Sequence, residues 1–298
     1  MKGSTTFVSR AAVDVWDAQF RWRDGRLIRD RTVDDTWRRV ANAVAAIEGV
    51  AAGVWAMRFV AAFRSWRLLP DPGVLRCAGT DAHLAGQDIC TATVNVRAFV
   101  RTGPDGEKLF DATSFRDTAE LALRLADDGI FLWKEPIRPE PRVGLMGLSD
   151  ALDALGVPCT GERAIGFCGE VAELLALGCL RGNLRLGAER GPLATRARPC
   201  SRPGLPGPAS RRGMLRHPIV TRLQPQPDLA MLANGTSGTC SPAPDARCRP
   251  DTGSPEHHAS VLREADTRLR RVMQPWIDET IDCEVIHRPA HPPTEASP

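Results

Sequence analysis

The segment at residues 141–159 constrains the fold most, because it indicates where one helix begins and ends. Two glycines flank a Leu-Met pair in its first half, and glycine lets another backbone approach closely. Ser149 offers a hydroxyl as the N-cap, and Gly156 followed by Pro158 ends the helical pattern. The apolar face consists of Leu152 and Leu155. The segment therefore predicts a short buried helix, and the glycines are interpreted as packing positions because no strand-turn-helix context of a dinucleotide loop is evident.

Composition narrows the class of protein. A chain of 298 residues, 43% of them hydrophobic, can bury a sizeable core. The composition is most consistent with a single domain that contains some irregular segments. The net charge is +3, from 39 basic and 36 acidic residues, so we expect no nucleic-acid partner. The apolar run at 50–60 is short and is interrupted by Arg58, so we expect no membrane partner. Tyrosine is absent, which excludes a phenol as acid, nucleophile or radical carrier.

The nine cysteines show no C-x-x-C spacing, and no signal-peptide pattern precedes them. Reduced thiols in a cytoplasmic protein are therefore expected, with Cys159 packing as a small apolar side chain. His257 and His258 together with a nearby cysteine could bind a metal. Adjacent histidines in a Pro/Ser-rich loop are usually solvated, however, so we predict no metal site.

The N-terminal region predicts a hairpin followed by two helices. The hairpin has its turn at Gly25. Thr32 or Asp34 caps the first helix, which Gly49 ends, and the second helix covers 52–66.

The rest of the chain alternates between periodic and irregular segments. A strand is predicted at 92–100 and helices at 111–128 and 162–179. Composition then changes to a Pro/Arg-rich linker at 187–215, and Ser260 can cap a late helix that Pro275 kinks.

Two acidic pairs and one basic cluster are interpreted as structural. Asp34–Asp35 and Asp127–Asp128 are predicted to be solvated charges near helix ends. The arginines at 196–216 are predicted to be solvated residues of the linker.

Three segments resemble one known family. Residues 142–158 read Arg-Val-Gly-Leu-Met-Gly-Leu-Ser-Asp-Ala-Leu-Asp-Ala-Leu-Gly-Val-Pro, residues 90–96 read Cys-Thr-Ala-Thr-Val-Asn-Val, and residues 216–238 contain Asn-Gly-Thr-Ser-Gly. These segments resemble the catalytic subunit of ribonucleotide reductase, most closely the adenosylcobalamin-dependent class, in a shortened and degenerate form.

The resemblance implies an α+β fold that is mainly helical, with remnants of the family's ten-stranded α/β barrel. The expected parts are an N-terminal helical region at 1–80, barrel-derived segments at 81–186 and 216–287, the linker at 187–215 and a disordered tail at 288–298.

In that family a cysteine thiyl radical abstracts a ribose hydrogen, and a cysteine pair then reduces the sugar. The place of Cys90, just before Val94, Asn95 and Val96, resembles that of one member of the reducing pair. The Asn-x-Cys-x-Glu motif of the radical cysteine is absent. The resemblance therefore implies descent from a reductase without full catalytic competence.

Residues 225–228 read Pro-Gln-Pro-Asp where the family has the Pro-Thr-Gly-Thr of its substrate-phosphate loop. Pro227 removes an N–H donor and Asp228 adds a negative charge, so we expect anion binding to be weakened. The candidate residues of this loop are Gln226, Asp228, Thr236 and Ser237.

The function expected from the resemblance is that of a ribonucleotide-reductase-like protein with ribonucleotides as ligands. Adenosylcobalamin is implied as a cofactor by the resemblance alone, and the chain could also use none. The alternative is a non-catalytic nucleotide-binding or regulatory module that associates with a full-length reductase or with itself. A third hypothesis is that the chain is the product of a decaying gene, which would be consistent with the Pro/Arg-rich stretch.

Overall fold

A computed structural model describes residues 5–134, 138–193, 215–238 and 255–281, with side chains from residue 260 onward in the last range. The tail and most of the linker, as predicted from sequence, lie outside these residues. Within them the fold is mixed α+β and mainly helical, with small sheets and no closed barrel.

The N-terminal region consists of short elements followed by a pair of helices. These are α1 (Arg10–Val15), a π-helical turn (Trp16–Phe20), β1 (Arg23–Asp24), β2 (Leu27–Ile28), α2 (Val33–Ala45), a 3-10 segment (Ala46–Ala51) and α3 (Ala52–Arg64). The predicted hairpin and both predicted helices are confirmed. Thr32 and Asp35 form a capping box, because each side chain accepts a hydrogen bond from the backbone N–H of the other.

Helices α2 and α3 pack against each other in antiparallel directions. Asp34 near the start of α2 pairs with Arg64 at the end of α3 at 3.1 Å, and the rings of Trp37 and Phe63 lie 5.5 Å apart. Gly49 allows the reversal through a positive φ of 56°. The run Val33–Arg64 reaches a mean hydropathy of 1.5 over an 18-residue window. Since it folds as two helices of 13 residues each, neither has the roughly 20 residues that a membrane span needs.

The central part of the chain builds the largest sheet. Its elements are β3 (Leu68–Leu69), α4 (Pro72–Cys77), β4 (Ile89–Asn95), a 3-10 turn (Val96–Phe99), β5 (Val100–Thr102), β6 (Lys108–Phe110), α5 (Ala112–Gly129), a 3-10 turn (Ile130–Leu132) and β7 (Glu140–Met146). Strand β3 pairs with β4 in antiparallel fashion, and β4 pairs with β7 in parallel. The predicted strand at 92–100 is thus shifted, because the chain turns at Val96. Thr221 adds one parallel bridge to Val143 on the other side of β7.

Strand β7 leads directly into helix α6 (Leu148–Ala154). The prediction that Ser149 caps this helix is wrong, because Gly147 occupies the N-cap with a φ of 72° and Ser149 lies buried inside the first turn. The predicted end is confirmed, since Gly156 follows the helix with a φ of 66°. The glycines at 144 and 147 therefore do stand in a strand-turn-helix unit, contrary to the sequence-based expectation. Their role in packing is confirmed at Gly144, where a Cβ would lie 3.1 Å from the Arg222 carbonyl oxygen.

The remaining helices of the described residues are α7 (Glu162–Arg190), α8 (Pro227–Leu232), α9 (Pro255–Met273) and a 3-10 turn (Gln274–Trp276). Helix α7 extends well past the predicted end at 179 and includes the first residues assigned to the linker. Helix α9 begins before Ser260, so the prediction that Ser260 caps it is wrong, whereas the break at Pro275 is confirmed.

One contiguous hydrophobic core extends from Trp16 in the N-terminal region to Ile281, and the exposed β1–β2 hairpin lies outside it. Cys77, Cys90, Cys168 and Cys179 carry thiols, as predicted. Cys159 is buried but disulfide-bonded, so the prediction of a reduced thiol is wrong at that position.

Candidate functional site

The carboxyl ends of β4 and β7 form the place where the candidate site is assembled. In parallel sheets ligands bind at this edge, because the strand ends and the following turns leave a crevice there. Asn95 ends β4 and is paired with Met146 at the end of β7. The turn residue Gly147 lies against Asn95 so closely that a Cβ at this position would collide with the Asn95 Oδ1 atom.

The predicted substrate-phosphate loop lies against this same edge. The Gly147 N–H donates to the Ser237 carbonyl oxygen at 2.8 Å. The N–H of Gln226, which is buried, donates to the carbonyl oxygen of Gly238 at 2.8 Å. The structure therefore brings Gln226, Thr236 and Ser237 together beside the two parallel strands.

The donors of Ser237 are already engaged. Its backbone N–H and its hydroxyl both donate to Asp150 Oδ2, at 2.7 and 2.5 Å. Asp150 belongs to the first turn of α6, so a carboxylate of the chain itself occupies the two groups that could have bound an external anion.

Asp228 takes a different position from the other loop residues. It is exposed in the first turn of α8, directly after Pro227, which has no N–H to donate. The predicted weakening of anion binding at this point rests on these two residues and stays a prediction.

Three buried oxygen atoms at or near this edge have no hydrogen-bond partner among the described residues. They are Thr93 Oγ1, Asn95 Oδ1 and Thr236 Oγ1. Buried polar groups are normally paired, so each unpaired oxygen needs a water molecule or a ligand group as its partner. Thr93 and Asn95 share one face of β4, because alternate residues of a strand point the same way. We call these three residues together with Ser237 and Asp150 the strand-end site.

Cys90 lies on the other face of β4. Its sulfur would be 3.2 Å from a Cβ at Gly129 of α5, and its side chain is buried. Burial, together with the neighbouring Asp71 carboxylate, raises the pKa of the Cys90 thiol well above its ordinary value. The structure does not bring Cys90 together with the strand-end site.

Asp127 and Asp128 contradict the prediction of solvated charges, because both are completely buried. Asp127 Oδ1 accepts from Arg216 Nε at 2.5 Å and lies 2.7 Å from His217 Nε2. Arg190 donates to Asp127 Oδ2 and also pairs with Asp128 Oδ1 at 2.7 Å. Arg216 is thus buried as well, and its assignment to a solvated basic cluster is wrong. The other arginines of that cluster lie outside the described residues.

The same charge cluster reaches the N-terminal helices through Glu48. Glu48 Oε1 accepts from Arg124 and from Arg190, at 2.6 Å in each case, and Arg124 also pairs with Glu189. Burial raises the pKa of Asp128 to about 8, in spite of the nearby Arg190 cation. These bonds join the 3-10 segment between α2 and α3 to α5, α7 and the segment at 215–217. We interpret the cluster as a clamp between segments.

The other pair, Asp34–Asp35, divides between two roles. Asp34 is buried and pairs with Arg64, so the prediction of a solvated charge is wrong for it. Asp35 belongs to the capping box at the helix N-terminus. Burial raises its pKa, but the hydrogen bonds with Thr32 lower it by more, so the pKa of Asp35 lies below its ordinary value.

A cavity of about 290 Å³ lies elsewhere, lined among others by Cys77, His83, Leu132 and Lys134. Pockets for drug-sized ligands take about 300–1,000 Å³, and adenosylcobalamin is larger than such ligands. The residues of this cavity therefore do not fit the cofactor that the resemblance implies. Among the described residues no group of histidine, cysteine and acidic side chains could hold a metal ion, and the side chains of His257 and His258 lie outside them.

No family model matches this chain.

Proposed function

We propose that this chain is a ribonucleotide-reductase-like protein that binds a ribonucleoside-containing ligand without reducing it. One observation carries the proposal: the loop that resembles a substrate-phosphate loop lies at the carboxyl ends of two parallel strands, beside buried oxygen atoms that lack partners. These strands are the elements that we assign to a barrel remnant. Adenosylcobalamin enters the proposal only through the resemblance, and no step is assigned to it.

The absence of reduction follows from the position of the one candidate thiol. Cys90 is buried on the face of β4 that packs on α5, and its raised pKa keeps it protonated. A thiol that reduces a sugar must contact the sugar, and Thr93 and Asn95 occupy the opposite face. The sequence also lacks the Asn-x-Cys-x-Glu motif.

The test is a thermal-shift and calorimetric titration of the reduced protein with the four common ribonucleosides, their phosphates and adenosylcobalamin. We expect saturable stabilisation by at least one nucleoside or nucleotide. Thr236→Val keeps the shape but removes the unpaired hydroxyl, so it should weaken this binding. Thr113→Val is the matched control, because Thr113 is exposed at the start of α5.

A protein that melts cooperatively but shifts with no nucleoside or nucleotide would contradict the proposal. Formation of deoxynucleotide by the purified protein with adenosylcobalamin would contradict the absence of reduction.

A second candidate function is an interaction module that docks on a full-length reductase. It is favoured by an exposed apolar stripe on and just before α3, made by Val50, Val54 and Met57, whose exposures are 109%, 56% and 68%. These positions recur at helical spacing and share one face. Size-exclusion chromatography with light scattering, on mixtures with a full-length reductase, should then show a complex that Val54→Asp disrupts. Unchanged elution of both proteins would contradict this candidate.

A further inference from the structure

We infer that the strand-end site selects an uncharged ribonucleoside over its phosphates, with Asp150 and Asp228 as the residues that determine this specificity. The inference rests on the proposed function, because it names the ligand class of the same site. Some polar groups of this site have no hydrogen-bond partner, and others are already bonded within the protein.

The donors of Ser237 and the backbone N–H of Gln226 are used. Ser237 gives both its N–H and its hydroxyl to Asp150 Oδ2, at 2.7 and 2.5 Å. Gln226 gives its N–H to the Gly238 carbonyl oxygen at 2.8 Å. A phosphate offers acceptors and negative charge, and it would have to displace the Asp150 carboxylate to reach the donors of Ser237.

The charge at the loop has the wrong sign for a phosphate. Asp228 is exposed in the first turn of α8, where a phosphate would otherwise approach backbone N–H groups, and Pro227 beside it has none to give. A phosphate would therefore meet the carboxylates of Asp150 and Asp228, and like charges at short range repel.

The unpaired oxygen of Asn95 suits a ligand that donates. Asn95 Oδ1 can only accept a hydrogen bond, whereas the hydroxyls of Thr93 and Thr236 can accept or donate one. A ribose brings hydroxyl donors, and a nucleobase brings N–H groups. A site whose buried acceptors need donors discriminates against a ligand group that has none to offer.

The experiment is isothermal titration of the full chain with adenosine, guanosine, cytidine and uridine, and with the mono- and diphosphate of each. For the base that binds, we expect the nucleoside to bind at least about tenfold more tightly than its diphosphate. In Asp228→Asn and in Asp150→Asn this ratio should fall, because each variant removes one negative charge that repels the phosphate. Asp105→Asn, which changes an exposed carboxylate in the turn between β5 and β6, is the control and should leave the ratio unchanged.

The outcomes separate the inference from the proposed function. Tighter binding of a diphosphate than of its nucleoside by the unchanged protein would overturn the inference and leave the proposed function standing. An unaltered ratio in both aspartate variants would overturn the role given to these two residues. Binding of no nucleoside and no nucleotide would overturn the proposed function itself. Asp228 is exposed, so its variant keeps the test valid even if Asp150→Asn fails to fold.

Discussion

At the scale of single residues, burial decides how Asp128 ionises. Its pKa is raised to about 8 by burial, so the folded protein holds a proton that the unfolded chain releases above its ordinary pKa of 3.8. The stability that this proton gives is fully present below 3.8 and is lost as the pH rises through 8. We expect the free energy of unfolding to fall between pH 6 and pH 8, by at most about 1.4 kcal/mol per pH unit from this group.

The measurement is urea unfolding of the protein and of Asp128→Asn across this pH range. Asparagine mimics the protonated acid, so the variant should lose this part of the pH dependence, whereas Asp105→Asn should keep it. A variant with the same slope as the unchanged protein would show that Asp128 is ionised in the folded state.

The environment of Cys90 makes a second prediction at this scale. Cys90 is 2% exposed, and burial raises the pKa of its thiol well above the ordinary value, whereas Cys77 is half-buried and burial raises its pKa against the opposing charges of Arg76 and Arg39. Alkylation by iodoacetamide requires both access and the thiolate. Peptide mass mapping should therefore show Cys77 modified at least about tenfold faster than Cys90 in the native protein, with the difference lost in guanidinium. Equal alkylation rates of the two cysteines in the native protein would show that Cys90 is accessible and would contradict this prediction.

The charge cluster shows why single residues were hard to predict. The partners of Asp127 are Arg190, Arg216 and His217, which are 63, 89 and 90 residues away in the chain. From sequence alone, an acidic pair near a predicted helix end is expected to be solvated, because its cationic partners are distant in the chain. No local signal in the sequence distinguishes this buried acidic pair from a solvated one, because charged side chains are buried only where partners are present.

At the scale of elements, the contact between α5 and α7 depends on glycine. A Cβ at Gly178 would collide with the Arg116 carbonyl oxygen and lie 2.7 Å from the Ala119 Cβ, and one at Gly182 would lie 3.0 Å from the Glu120 carbonyl oxygen. Gly178→Ala should therefore push the helices apart and lower the free energy of unfolding by about 1–3 kcal/mol.

Gly166→Ala is the matched control in the same helix, because nothing lies within 4 Å of the added Cβ. It should raise stability by up to about 1 kcal/mol through helix propensity alone. Thermal and urea unfolding compare the two variants. A gain in stability from both would contradict the close contact of α5 with α7.

Elements with local signals were predictable and those with distant causes were not. The helix after Thr32 was predictable because its N-cap and its apolar spacing are local signals, whereas the full capping box with Asp35 became evident only in the structure. Strand β7 was missed, because a parallel strand buried on both faces lacks alternation and Glu140–Met146 also contains proline, arginine and glycine. The cap of α6 was misplaced for a related reason, since Gly147 acts in the turn that β7 requires. Of the candidate site, the loop residues were predicted together, but Asp150, Asn95 and Thr93 were not.

At the scale of the whole molecule, the chain returns close to the point at which it leaves α7. The Leu193 N–H donates to the Arg216 carbonyl oxygen at 2.9 Å, and the Arg216 N–H donates to Asn183 Oδ1 at 3.0 Å. The Arg216 side chain then enters the charge cluster at Asp127. The residues on either side of 194–214 are thus held in place by hydrogen bonds that involve only described residues.

Replacement of residues 194–214 by four residues of Gly and Ser should therefore leave a folded, cooperatively melting protein. Each halving of a loop lowers its closure cost by about 0.6 kcal/mol, so the shortened protein should be as stable as the full chain or slightly more stable. Adding Arg216→Ala to the shortened protein should lower stability strongly, because Asp127 loses a buried cation. Calorimetry compares the three proteins. A shortened protein that no longer melts cooperatively would show that 194–214 contributes contacts of its own, and the predicted role of this stretch as a linker would be wrong.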